Sequence, residues 1–281
     1  MSDPLAPSAT RAARARQLLV ALDAATTLPT FTGADPSFDL AQAFAVADEI
    51  RRLRLARGEV PLGYKIGFTN RGIWARYGVF APIWGPVWDT TVERVDSAET
   101  SVSLAPFVAP RLEPEIMFGF ARAPAAGMTL AQLAGCIAWV AHGFEIVHTR
   151  FADWRFAAAD TGADFALHGR LFVGPRVPVD RFVGQGSGDL ATQLSSLRLT
   201  LSCDGRDVEE GSAEIVLDGP LHALRLWVDA MAARPEQWPI VAGDIVTTGT
   251  ITDAAPLAPR QHWQTRLSDP RFAAMTLNTT A

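Results

Sequence analysis

The sequence is poor in the residues that most often carry redox or nucleophilic chemistry. Its 281 residues include two cysteines and five histidines. Cys136 lies in an apolar stretch and Cys203 ends an alternating one, so neither belongs to a pair at metal-ligand spacing. Two cysteines also exclude the disulfide framework that staples small secreted domains. Lysine is scarcer still. Of 25 basic residues, Lys65 is the only lysine. Arginine replaces lysine freely at most exposed sites, so a surviving lysine either marks a need for a compact ammonium or is what chance left. No run of like charge occurs, and a net charge of -5 offers no basic face to phosphates, so nucleic acid is not an expected partner. The apolar stretches are too short and interrupted to span a bilayer. Met1-Ser2-Asp3-Pro4 lacks the charged and apolar regions of a signal peptide, and the expected setting is the cytoplasm.

What is present suits a globular fold. The chain is 48% hydrophobic and 20% charged, enough for one large domain or a domain with a smaller appendage. Ser8 or Thr10 can cap a helix carrying Leu18, Leu19 and Leu22, and Phe38, Leu40, Phe44, Ala47, Ile50 and Leu53 recur near a period of 3.6. Between them Thr27 to Asp35 reads as a linker. This predicts a helical N-terminal cap over residues 1–60, followed by a larger domain over 61–281.

In that second part Tyr64 to Phe68 is a strand candidate, while Gly78, Pro82, Gly85 and Pro86 mark 77–90 as an ordered loop. A helix is predicted from a Thr129 cap through Leu130, Leu133, Ile137 and Val140 to Gly143. Another starts at Pro220, a favoured first-turn position, and carries Leu221, Leu224, Val228 and Met231. Leu197 to Cys203 alternates and meets Asp204-Gly205, a two-residue hairpin turn. Phe144 to Val147, Leu171 to Val173 and Asp244 to Thr248 complete the strands. Gly-Gln-Gly-Ser-Gly at 184–188 lacks the strand and helix that a phosphate loop needs and reads as a flexible loop. Many short strands with two embedded helices imply an α+β domain built on a sandwich or barrel.

The chemistry centres on carboxylates. In Arg111-Leu112-Glu113-Pro114-Glu115 an extended chain points Glu113 and Glu115 to one face. So close a pair repels unless a cation or proton lies between, although an isolated Glu-x-Glu is usually a solvated surface turn. Pro114 cannot donate to a ladder, which predicts an edge or a strand start. Glu145 shifts the balance, because it sits inside the apolar strand Phe144-Glu145-Ile146-Val147, where a carboxylate needs a partner or a metal. Three carboxylates without a Cys or His pair favour Mg²⁺ or Mn²⁺ over zinc. His142 and His148 read as exposed or hydrogen-bonded imidazoles. Asp153-Trp154-Arg155 with Asp160 to Asp164 reads as a site loop or, equally, a loop with ordinary salt bridges. A Gly-x-Ser-x-Gly elbow and a Walker loop are both missing.

The segments Gly63 to Thr69, Arg111 to Ile116, Phe144 to Val147, Asp153-Trp154 with Asp160 to Asp164, Gly219 to Leu221 and Gly243 to Gly249 occur in an order that resembles the 2-keto-4-pentenoate hydratase branch of the fumarylacetoacetate hydrolase superfamily. The resemblance runs over roughly residues 60 to 265. It implies a mixed β-sandwich roll with a small helical N-terminal region, and a homo-oligomer. It also implies that Glu113, Glu115 and Glu145 bind Mg²⁺ or Mn²⁺, that Lys65 and Asp89 are catalytic, and that Ser212 and Thr248 lie at the substrate. Two departures stand out. Phe165-Ala-Leu-His168 follows Asp164 where such proteins carry small polar residues, and Thr-Ile-Thr-Asp253 follows Gly249 in place of an apolar glycine turn. Asp164, Phe165, His168 and Asp253 are therefore the residues expected to shape the pocket.

The expected substrate is a small 2-oxo or dienol carboxylic acid, and the expected reaction is hydration of a 2-hydroxy-2,4-dienoate in aromatic-compound breakdown. Lys65, with a depressed pKa, would move the proton. Decarboxylation of a 4-oxalocrotonate-type diacid uses the same chelation and is the nearest rival. A non-catalytic scaffold partner is a third possibility, and its signature would be loss of Lys65 or of a metal carboxylate. A C–C hydrolase of this superfamily would carry a His-Glu dyad in its N-terminal part, whereas the first histidine here is His142.

Overall fold

The computed structural model describes residues 8–182, 188–234 and 239–281; the loop predicted at 184–188 falls largely outside them. In chain order the helices are α1 (Ser8–Asp23), α2 (Phe31–Ala34), α3 (Leu40–Ala56), α4 (Trp74–Tyr77), α5 (Leu130–Ala134), α6 (Ala158–Ala163), α7 (Leu190–Ser195) and α8 (Pro220–Ala232). The strands are β1 (Pro61–Gly67), β2 (Ile83–Trp88), β3 (Val92–Arg94), β4 (Glu99–Ser103), β5 (Arg111–Phe120), β6 (Ile137–Val147) and β7 (His168–Pro178). After them come β8 (Arg198–Cys203), β9 (Arg206–Ser212), β10 (Ile245–Thr250), β11 (Ala255–Pro256), β12 (His262–Leu267) and β13 (Met275–Thr280).

These strands make two mixed sheets. The larger runs β2-β1-β10-β5-β6-β7-β3, with β11 added on β5, and the smaller runs β4-β13-β12-β8-β9. Pairs β1–β10, β3–β7 and β4–β13 are parallel and the other pairs antiparallel. One apolar core joins the sheets: Ile116, Phe118, Phe144 and Val246 from the larger pack in the same cluster as Leu201, Trp263 and Leu277 from the smaller. Helix α8 adds Trp227 to it, against Tyr64 with ring centroids 5.1 Å apart. This is the mixed β-sandwich architecture expected.

Helices α1 and α3 bury Leu18, Leu19, Val46 and Ile50 in a second cluster that is completed by Phe151, Ala159 and Phe165. Asp39 caps α3 through the Gln42 amide, which satisfies one of the orphan donors at a helix start. Asp160 ties the N-terminal segment to α6. Its carboxylate accepts from Phe31 N at 2.8 Å, Thr32 N at 3.1 Å and Ala157 N at 2.9 Å. An acidic residue that reads as part of a site loop is thus an anchor.

Three local expectations give way. The helix predicted from Thr129 to Gly143 stops at Ala134, and Ile137–Val147 is strand β6. Flanked by β5 and β7 and buried on both faces, β6 needs an unbroken apolar run, which a helical period can mimic. The loop predicted at 77–90 contains β2, an edge strand where Pro86 is tolerated. Pro114 marks no edge, since β5 lies between β10 and β6. The β10 ladder is irregular between Thr247 and Thr250 beside it, and Pro114 O still accepts from Ile251 N at 3.0 Å.

Candidate metal centre and acid pocket

Strand register assembles the site. Glu113 lies directly opposite Glu145 in the β5–β6 ladder, and Glu115 opposite Thr250 in β5–β10. Like charges facing each other across a ladder destabilise it, so this register needs a counter-charge. Ligand oxygens of Glu113, Glu115 and Glu145 lie within 4.8 Å of one another. Glu115 and Glu145 are fully buried, while Glu113 also lines a cavity of about 370 Å³. Lys65, projecting from β1, shares that cavity.

The shell around the carboxylates is asymmetric. Glu115 Oε2 accepts from Thr247 Oγ1 and, at 2.7 Å, from Gly249 N. Gly249 has φ +101, and a Cβ there would sit 1.9 Å from Thr69 Oγ1, so only glycine brings this amide to the carboxylate. His168 Nδ1 lies 2.8 Å from Glu145 Oε1, and His168 Nε2 is 2.8 Å from Thr91 Oγ1. Lys65 Nζ donates to Ala166 O at 2.9 Å and lies 3.3 Å from Glu145 Oε2. That last contact is an ion pair without hydrogen-bond geometry. Among the described residues neither Glu115 Oε1 nor Glu145 Oε2 accepts a hydrogen bond.

Electrostatics follow from this layout. Burial pushes the Glu113 carboxyl up to about 7, against the pull of Lys65. It pushes Glu115 well above the usual range, and Glu145 and Glu113 add to the push. Burial also acts on Glu145, but Lys65 and the His168 hydrogen bond outweigh it and hold that carboxyl low. Lys65 loses hydration, yet the three glutamates raise its pKa above the ordinary value. Without a metal, the three glutamates thus hold Lys65 as an ammonium. One ammonium cannot balance three clustered carboxylates. Two buried oxygens that accept no hydrogen bond among the described residues, and an all-oxygen set of three clustered carboxyls, are what a hard divalent cation fits.

The other predicted residues divide sharply. Asp253 lines the cavity and is exposed there. His168 lies behind Glu145 and outside the cavity wall, where it orients the carboxylate. Asp164 and Phe165 are buried away from it: Asp164 pairs with Arg150, and Phe165 packs in the cluster beneath α1 and α3. Their neighbours Ala166 and Leu167 reach the cavity. Thr248 points to the opposite side of β10 from Thr247 and donates to Ile116 O at 3.0 Å, so the hydroxyl at the centre belongs to Thr247. Ser212 ends β9, takes a bond from Arg198 and caps the following turn. Asp89 is exposed in the turn after β2, where it accepts from Val60 N at 2.9 Å, and it does not line the cavity. Thr248, Ser212 and Asp89 were placed by short motifs, which carry no information on which face of a strand or turn a side chain takes.

The cavity wall also holds residues that spacing did not single out. Arg111, Tyr77 and Phe156 line it together with Trp154. For Arg111 the signal was there, since it shares a strand face with Glu113 at period two.

A buried acidic centre under a small cavity with one ammonium has the donors for a divalent cation and room beside it for a small acid. No family model matches the chain. A 4-oxalocrotonate decarboxylase from Pseudomonas sp is 32% identical over 236 residues, covering 82% of this chain and 84% of that one. A 2-hydroxyhexa-2,4-dienoate hydratase from Comamonas testosteroni is 29% identical over 244 residues, covering 86% and 88%. The structure of the 4-oxalocrotonate decarboxylase from Pseudomonas putida G7, complexed with magnesium and adipate, superposes with a TM-score of 0.86 at 25% identity over 98% of both chains. The chain belongs to the 2-keto-4-pentenoate hydratase and 4-oxalocrotonate decarboxylase family of the fumarylacetoacetate hydrolase superfamily.

Proposed function

We propose that the protein is a metal-dependent lyase that hydrates a 2-hydroxy-2,4-dienoic acid. The observation that carries this is the triad Glu113, Glu115 and Glu145, with two unsatisfied buried oxygens, facing the one lysine at the floor of a small cavity. The three glutamates would hold Mg²⁺ or Mn²⁺. When bound, the cation supplies positive charge for the substrate's carboxylate and 2-oxygen and so favours the enolate form.

The chain's own residues do the rest. Lys65 Nζ, pinned by Ala166 O, carries the proton that converts the dienol to the unsaturated ketone; water then adds to the conjugated double bond. Thr247 and the Gly249 amide fix Glu115, and His168 with Thr91 fixes Glu145, so the carboxylates need little rearrangement. Tyr77, Phe156 and Leu167 enclose the hydrocarbon part of the acid and exclude bulk water.

Decarboxylation of a 2-oxo diacid is the second reading, favoured by the relative of that name at 32% identity. An assay with Mg²⁺ against a 2-hydroxydienoic acid and an oxalocrotonate-type diacid, followed by mass, decides between them. Gain of water supports the hydratase, loss of CO₂ supports the second reading, and neither product sinks both.

A further inference from the structure

Adding water to a double bond needs a group that takes a proton from that water. Among the described residues that line the cavity, five carry an acid or a base: Lys65, Tyr77, Arg111, Glu113 and Asp253. The dienol proton occupies Lys65, and the cation occupies Glu113. Arg111 is a fixed cation, and a phenol such as Tyr77 is a poor proton acceptor. The other polar side chains of the wall are hydroxyls, an amide and an indole. Asp253 alone is left for the task.

Strand pairing explains how an aspartate comes to stand there. Thr250 lies opposite Glu115 on β5, and Ala255 lies opposite Leu112. The stretch from Thr250 to Ala255 therefore holds two residues more than the strand it follows. Extra residues of this kind bend the chain and re-aim a side chain. Ile251 stays tied to Pro114 O at 3.0 Å, while Thr252, Asp253 and Ala254 form part of the cavity wall, alongside Glu113.

The backbone of this bulge is fixed and the carboxylate is not. Thr250 Oγ1 donates to Thr252 O at 2.8 Å, and Asp253 N donates to Glu209 Oε1 of β9, also at 2.8 Å. Asp253 O accepts from Thr252 Oγ1 at 3.1 Å. Among the described residues the Asp253 carboxylate forms no hydrogen bond and no ion pair, and it stands exposed at the cavity rim. Both its oxygens are open to accept from water, on a backbone held from two sides.

We propose that Asp253 is the general base of the hydration step. It takes a proton from the water whose oxygen bonds to C4 of the unsaturated ketone. The C3–C4 π pair moves into the enolate, and Asp253 then returns the proton to C3, which restores both the ketone and the carboxylate. This rests on the hydratase reading above. The test follows 2-hydroxypenta-2,4-dienoate with Mg²⁺ in D₂O by NMR, where deuterium at C5 reports ketonisation and the C4 alcohol reports hydration. Asp253→Asn should slow hydration about 100-fold, so that the unsaturated ketone accumulates, with C5 deuteration and the Mg²⁺-induced thermal shift as in wild type. Asp253→Glu, which keeps a carboxylate, should hydrate faster than Asp253→Asn. Wild-type hydration by Asp253→Asn, or equal rates for the two variants, overturns the proposal alone. So does loss of C5 deuteration or of the thermal shift in Asp253→Asn, since the residue would then act on binding or on the metal site. A wild-type protein that forms no hydrate overturns the hydratase reading and this inference together.

Discussion

Two buried carboxylate centres lie close together in the chain, and they solve the same problem in opposite ways. Asp164 faces Arg150: its Oδ1 takes a short bond from Arg150 Nε, and its Oδ2 accepts from Arg150 N at 3.2 Å. Arg150 spends its other donors on His148 Nε2 at 2.6 Å and on the carbonyls of His148 and Asp164. Charge is balanced one to one, and no oxygen of Asp164 is left without a donor. Around Glu113, Glu115 and Glu145 there is one ammonium for three carboxyl groups, and among the described residues two of their oxygens accept no hydrogen bond. The first centre is complete without any ligand. The second has oxygens to spare and suits an added cation, and that contrast separates a structural ion pair from a candidate binding site better than burial does.

The sharpest test is functional. Lys65→Met should reduce turnover on the order of 10³-fold, the usual contribution of a positioned proton-transfer group. Its Mg²⁺-induced thermal shift should persist, because the three ligands remain; full turnover in this variant would remove the lysine from the mechanism. In the closed centre, Asp164→Ala leaves the Arg150 guanidinium buried without its partner and should cost about 3–5 kcal/mol in denaturant unfolding. A loss below about 1 kcal/mol would show that the pair is not the closed unit described.

Acid probes a third buried group. Burial lowers the His142 pKa to about 4, and its ring lies between Glu115 O and Thr265 Oγ1. A depressed folded-state value means that the unfolded chain takes up the proton first. The stability His142 contributes is thus present above about pH 6.5 and lost as pH falls towards 4, about 3 kcal/mol in all. Unfolding curves of wild type and His142→Asn should diverge at pH 7 and converge near pH 4. Parallel curves at both pH values would refute the assignment.

The open centre should respond to metal where the closed one does not. Mg²⁺ at a hundred times its Kd should stabilise the wild type by about 2.7 kcal/mol, and a chelator should reverse the gain. Glu115→Gln should abolish that response yet leave the metal-free protein about as stable as wild type, because burial and the neighbouring carboxylates already hold Glu115 in its neutral form there. A metal-free Glu115→Gln that is strongly destabilised would mean the carboxylate is structural.

Much of this was legible before folding. The period-two spacing of Glu113 and Glu115, the apolar strand around Glu145 and the isolation of Lys65 singled out the residues that meet at the centre. The helices at α1, α3 and α8 followed from their apolar period. The residues around the centre were less legible. Thr247 and Thr248 are adjacent in sequence, and only the β10–β5 pairing decides which hydroxyl faces Glu115. Asp164 and Asp253 look alike as candidates, but Arg150 closes off the first and the cavity opens on the second.

The sequence by itself determined the ligand chemistry: carboxylates on alternating positions present oxygen to one face of a strand, whatever surrounds them. Only the tertiary structure decided that Glu145 stands opposite Glu113, because register depends on which strands pair and where their ladders slip. It also decided that Arg111 stacks on Trp154 at the cavity wall while Arg150 is closed off by Asp164, because the partner of a charge is set by what packs against it, and sequence distance does not record that.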